Sequence, residues 1–146
     1  MKKIIFIMLF ITIIPLSLMG IDLISNQRIL KICEKIGYTA ELKDIGESKA
    51  VIITDTEGVS ILKIHNFKLT LVTFKENYLF KSSSKELEKI NNFNRKIIFA
   101  RTFINERDIA LSSNLNIING ASDKKIINYI GAFMAIRDIW LENFKK

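Results

Sequence analysis

Beyond Gly20, the apolar positions change period along the chain, and each change marks an element. Ile29, Leu30, Cys33 and Ile36 recur at helical spacing; Ser25 or Asn26 is placed to cap that helix and Gly37 to end it. Tyr38–Asp44 reads as a first strand. Gly46-Glu47-Ser48 is a turn, and the dense β-branched run Ala50–Thr54 predicts a buried strand. Asp55-Thr56-Glu57-Gly58 favours a hairpin. After it, Val59, Ile61 and His65 lie on one side of a strand and Leu62 and Ile64 on the other. Leu69, Leu71 and Tyr78–Phe80 continue the sheet. Short polar links between successive strands predict an antiparallel meander, not a parallel sheet with crossover helices.

The second half opens with a capping-box pattern, Ser83-Ser84-Lys85-Glu86. Leu87, Ile90, Asn91 and Asn94 then share one helical face. Asparagine is a poor interior helix former, and a buried amide is costly without a hydrogen bond. Asn91 and Asn94 are therefore expected to satisfy backbone groups of a nearby loop or strand; a ligand-contacting pair and plain solvated surface are the alternatives. Ile97–Ile104 is β-branched and aromatic and largely apolar on both faces, which predicts a central strand covered at least in part on both sides. Asn105–Asp108 is a polar turn. Ile109, Leu111, Leu115 and Ile117 alternate with Ala110, Ser112, Asn114 and Asn116, the period of a half-buried strand. The two strands form a hairpin, closed by Asn119-Gly120, where glycine can take a positive φ. Ser122 and Asp123 start a last helix whose stripe runs through Ile126, Ile127, Ile130, Phe133, Met134, Arg137, Trp140, Leu141 and Phe144. A stripe of that width covers a sheet, and it is wide enough to serve a dimer or partner surface as well.

Met1–Gly20 stands apart. Lys2 and Lys3 precede an apolar stretch, Ile4–Ile14, and Pro15 breaks it before Gly20. This is the pattern of a secretory signal peptide, with the cut expected between Gly20 and Ile21. The alternative is an uncleaved membrane anchor over residues 4–19, a stretch slightly short for a bilayer span. The expected organisation is a leader or anchor over residues 1–20 and one domain over residues 21–146, in a periplasmic or secreted protein.

Composition adds limits. Half the residues are hydrophobic (49%), enough for a substantial core in 146 residues. The net charge is +7, and Lys2 and Lys3 take two of those charges into the leader. The remaining positive charges are scattered, as Lys63, Lys75, Lys96, Arg101 and Lys124 show, with no compact basic run interleaved with aromatics. No nucleic-acid partner is expected. Acidic partners or an anionic membrane surface suit such a balance better. The lone Cys33 excludes an intrachain disulfide, and its place beside Ile29 and Ile36 predicts a buried thiol. His65, the single histidine, has no Cys, Asp or Glu cluster at ligand spacing and no Ser or Cys partner in sequence. With no glycine-rich phosphate loop either, no enzyme, metal or cofactor is expected.

One resemblance narrows the role. The constellation Ile90-Asn91-Asn92-Phe93-Asn94, Phe99-Ala100-Arg101, the polar turn, Leu115-Asn116-Ile117 and Asn119-Gly120 resembles the YbjN family, whose members carry an Asn-aromatic-Asn helix end before a hairpin and a glycine. The position between the asparagines is often Trp in that family and is Phe93 here; the turn, which usually holds a glycine, has none. The likeness extends upstream through Ile29–Asp44 and downstream into the last helix. It implies an α+β fold similar to type III secretion chaperones: an antiparallel sheet of roughly five strands with helices packed on it, in the order α-β-β-β-α-β-β-α. It marks Asn91, Phe93, Asn94, Arg101 and Gly120 as a structural motif. The family is described as candidate regulators of sensory transduction with no agreed enzymatic activity. The implied role is a non-enzymatic, chaperone-like or regulatory module in the cell envelope, with a protein partner or a homodimer.

Overall fold

The helical stripe after Ser25 forms as expected in a computed structural model, which describes residues 24–75, 83–106 and 108–145. The leader with its cut at Gly20 and Ile21, the extension over Tyr78–Phe80, and Arg107 in the hairpin turn lie outside the described residues. Helix α1 spans Asn26–Lys35. Ser25 is its N-cap, its hydroxyl accepting from the backbone N–H of Arg28 at 3.2 Å. The buried positions are Ile29, Ile32 and Cys33; Leu30 and Ile36 are only half-buried. Ile32 and Cys33 stand three and four residues after Ile29, so the face is narrower than expected and rotated toward Ile32. Gly37, at φ +90°, takes the chain off the helix.

Among the described residues six strands follow in one antiparallel sheet: β1 Thr39–Ile45, β2 Ser48–Asp55, β3 Gly58–His65, β4 Lys68–Lys75, β5 Arg101–Asn105 and β6 Asp108–Asn116. Their order is β1-β2-β3-β4-β6-β5. Helix α2, Ser84–Lys96, lies between β4 and β5 in the chain, and α3, Asp123–Asn143, follows β6. The expected α+β architecture is therefore present, with one more strand in the meander than the expected order. That strand is separated by the turn Asn66-Phe67, where both residues adopt positive φ, 46° and 57°. This two-residue loop normally draws on Asn and Gly. Asn66 suits that loop, but Phe67 stands where Gly is usual, so the sequence only half marks the break between β3 and β4.

The strand predicted over Ile97–Ile104 is shorter and lies at the edge of the sheet, not at its centre. Ile97 caps α2, its N–H donating to Phe93 O at 3.0 Å, and Ile98 is exposed. Only Arg101–Asn105 pairs, and it pairs on one side alone, so β5 is an edge strand. Phe103 and Ile104 remain exposed. An apolar run reports burial on neither side by itself; here half of it is spent on leaving the helix. The interior position belongs to β6, which pairs with both β4 and β5.

The three described helices pack on one face of the sheet. The core joins Val51, Ile53, Leu62, Leu69, Leu71, Ile109 and Leu111 to Ile29, Cys33, Ile90, Phe93 and the inner side of α3. Ser122 caps α3, accepting from Lys125 N–H at 3.3 Å. The expected α3 stripe is buried at Ile126, Ile130, Phe133, Met134, Arg137, Trp140 and Phe144, and Tyr129 joins it. The Tyr129 hydroxyl donates to Ser113 O at 2.7 Å on β6 and accepts from Leu71 N–H at 3.2 Å on β4, which ties α3 to two neighbouring strands. Burial pushes that phenol up to about 12. Arg28 links α1 to the start of α3, donating to Asp123 Oδ1 at 2.7 Å and to Ala121 O at 3.0 Å. Cys33 is fully buried, and its thiol is pushed up to about 11 by burial.

Candidate interaction surfaces

The junction between α2 and β5 is built from two side chains. Asn94 Nδ2 donates to Thr102 O at 2.9 Å, and Asn94 Oδ1 accepts from Thr102 N–H at 2.7 Å. The hairpin explains why those groups are free to be taken. Asn105 and Asp108 flank a two-residue loop as a hydrogen-bonded pair, so Phe103 and Arg101 also direct their backbone toward β6 and Thr102 directs its own outward. The Asn94 amide thus stands where a neighbouring strand would bond. Arg101 closes the same junction from the other side, donating to Asn94 O at 2.9 Å and to Ile97 O. Phe93 is in the core, edge-to-face with Phe144 at 6.0 Å. Gly120, at φ +76°, donates to Ile117 O at 2.9 Å and turns the chain out of β6. Asn91, expected to act like Asn94, is exposed instead, as is Leu87; the inner face of α2 runs through Ile90 and Phe93. One helical step separates the two readings of that face.

An unprotected sheet edge is a template for another chain. Asn94→Ala should therefore do two things: lower stability by about 1–3 kcal/mol, because Thr102 loses both partners, and promote concentration-dependent association. Urea unfolding and sedimentation velocity read these separately. Asn94→Asp keeps the acceptor and loses the donor, and is expected to fall between.

The outer face of the sheet is apolar. Ile52, Ile61 and Val72 stand opposite one another across β2, β3 and β4, and Phe74, Ala110 and Phe103 across β4, β6 and β5. None of the six belongs to the core cluster under the helices. Val59, Phe74 and Phe103 are 40, 37 and 39% exposed, Ile61 and Val72 are half-buried, and Ile52 and Ala110 are buried. The helices pack on the opposite face, and no described helix covers this one. Toward the other end the face turns polar, with the Thr70 hydroxyl donating to Asn114 Oδ1 at 2.6 Å.

A second concave surface lies on the helical side. The face of α2 carrying Lys85, Lys89 and Lys96 borders the C-terminal half of α3, leaving a groove of about 470 Å³. Its floor is Phe93, Ile97 and Ile139, the last 52% exposed, and Glu88 is the single carboxylate in its lining. Lys89 Nζ sits 5.2 Å over the Phe144 ring. Close by, Lys75 is pulled below its usual value by burial and then by Lys145 and Lys89, against Glu142 and Glu57. The lysines at i, i+4 and i+11 were visible in the sequence, but the charge of the chain reads as scattered until α2 places them on one side.

Elsewhere the titratable groups do structural work. Arg137 is 3% exposed and donates to Asp55 Oδ2 at 2.6 Å and Asp138 Oδ1 at 3.0 Å. Asp55 Oδ1 accepts from the N–H groups of Glu57 at 2.9 Å and Gly58 at 3.1 Å, which fixes the β2–β3 turn. Eighty-two positions separate the two partners, and nothing in the sequence pairs them. His65 is exposed at the end of β3. Among the described residues no group of three His, Cys, Asp or Glu could hold a metal ion, and no helix is long and apolar enough to cross a membrane.

No family model matches the sequence, and no curated protein matches it. A solved structure does match. The crystal structure of YbjN from E. coli, a proposed transcription regulator, superimposes with a TM-score of 0.65 over 81% of this chain and 89% of that one, at 7% identity. At that identity the likeness is one of fold. The six-stranded antiparallel sheet with its helices on one face, reached here from Ser25 to Phe144, is a YbjN-like fold.

Proposed function

We propose that this chain is a member of the YbjN family acting as an exported, non-enzymatic interaction module in the cell envelope, a chaperone-like or regulatory binding protein. The observation that carries the reading is the outer sheet face. Two rows of apolar side chains cross it from β2 to β5, while the helices build the core on the other side. Scattered exposed hydrophobics are ordinary; a contiguous patch on one sheet face is the mark of a contact surface. The leader pattern of Met1–Gly20 supports export. The partner is another polypeptide or a second copy of the chain.

A photo-crosslinking residue at Val59 tests the contact directly. In bacteria expressing the full chain, it is expected to give a discrete adduct in the envelope fraction, at twice the chain mass for a homodimer. The same probe at Glu34, on the exposed side of α1, should give none. Equal labelling from both positions, or no adduct from Val59, would count against the interaction reading. N-terminal sequencing of the same material is expected to start at Ile21; a start at Met1 would indicate the anchored form.

A further inference from the structure

We propose that the groove between α2 and the C-terminal half of α3 binds an acidic amphipathic peptide segment, its apolar side on the floor and its carboxylates on the lysine rim. Both halves of that description come from the lining. Phe93, Ile97 and Ile139 give a floor that rewards apolar side chains. Lys85, Lys89 and Lys96 give a rim of one sign, opposed by Glu88 alone. Beside the groove, Lys75 and Lys145 are balanced by Glu142 and Glu57, so the positive field is that of the rim itself. Rim charges of this kind select partners and steer their approach.

The shape decides between a peptide and a membrane surface. A bilayer is flat and meets a convex, protruding patch. A concave groove of about 470 Å³ between two helices is not filled by a plane of headgroups. A helix laid into a groove fills it through anchors at i, i+3, i+4 and i+7. From Lys85 to Lys96 the rim extends about 16 Å at 1.5 Å per residue. A bound segment of roughly 14 residues spans it with a turn to spare. The trough lies on the helical side of the sheet, opposite the apolar face around Val59 and Phe74, so this proposal stands or falls separately from that one.

The probe is a fluorescein-labelled, helix-forming peptide of Leu and Glu of about that length, with a twin carrying Gln for every Glu, titrated into the full chain at low salt. Saturable binding of the acidic peptide is expected, weakened about tenfold or more in the Gln twin and in Lys85→Glu/Lys96→Glu. Raising the ionic strength from about 0.05 to 0.5 M should weaken it further. Ile139→Ser tests the floor and should also reduce binding, while Phe74→Ser on the outer face should not. Circular dichroism establishes that each variant is folded. Equal affinity for the two peptides, or undiminished binding to the lysine variant, overturns the proposal. So does capture of phosphatidylglycerol vesicles through the same lysines with no competition from the acidic peptide.

Discussion

Trp140→Ala is expected to destabilise the protein by about 3–5 kcal/mol, the range for truncating a large aromatic in a core. Trp140 has no exposed surface and packs against Phe144 at 5.7 Å, which in turn packs against Phe93. Those three rings are how the C-terminal part of α3 holds α2. The truncation opens a cavity and also loosens the wall of the α2–α3 groove. Against a total of about 5–15 kcal/mol for a domain of ordinary stability, the loss is a fifth or more. Urea unfolding should show the midpoint falling with the slope unchanged. Trp140→Phe is expected to cost less than about 1.5 kcal/mol, because volume is largely kept and a buried indole N–H with no hydrogen-bond partner among the described residues is removed. Similar losses for the two variants would show that the ring stack does not join the helices.

Asp55→Ala is the second large effect. It removes the acceptor that fixes the β2–β3 turn and leaves Arg137, buried on α3, without its 2.6 Å partner. Breaking a buried pair from one side costs about 3–5 kcal/mol. Asp138 stays beside Arg137 and Asp55 is a quarter exposed, so about 2–3 kcal/mol is expected here. Asp55→Asn keeps an acceptor for the turn and loses the charge, and should cost less. The pH dependence has a definite sign. Burial alone would raise the Asp55 carboxyl, but the hydrogen bond and charge of Arg137, with the N–H groups of Glu57 and Gly58, outweigh it and hold the group below its ordinary 3.8. A depressed value in the folded state means the stabilisation is complete above the ordinary value and is lost as the pH falls through the folded one. The stability gap between the wild type and Asp55→Ala should therefore narrow on acidification below about pH 4. A gap that stays constant from pH 7 to pH 2 would show that the charge of Asp55 stabilises neither the turn nor Arg137.

Period and punctuation made most of the fold legible. The hairpin at Asp55–Gly58, the helix capped by Ser83, the half-buried β6 and the long apolar stripe of α3 all follow from local rules, and local rules decided them. What local rules missed has one cause: positions set by distant partners. The place of β5 at the sheet edge depends on which strand β4 accepts, and β4 accepts β6 across more than thirty residues. Ile97–Ile104 looks like an interior strand because apolar content records neither pairing nor a helix exit. Asn94 and Asn91 differ by less than one turn, yet only Asn94 reaches the backbone of Thr102. Phe67 accepts a left-handed backbone that its residue type does not advertise. On the candidate surfaces, the rows of the outer face were present in the alternation of Val59 and Ile61 but had no visible neighbours until the register set them opposite Val72 and beside Phe74.

The seat of Cys33 gives the molecule a gauge of its own motion. A thiol that is both enclosed and un-ionised at neutral pH is a poor nucleophile. Maleimide can reach it only when α1 parts from the sheet, so the labelling rate times that opening without an engineered handle. In an oxidising compartment the same enclosure keeps one copy from bonding covalently to another, and the shield lasts as long as the first helix stays down.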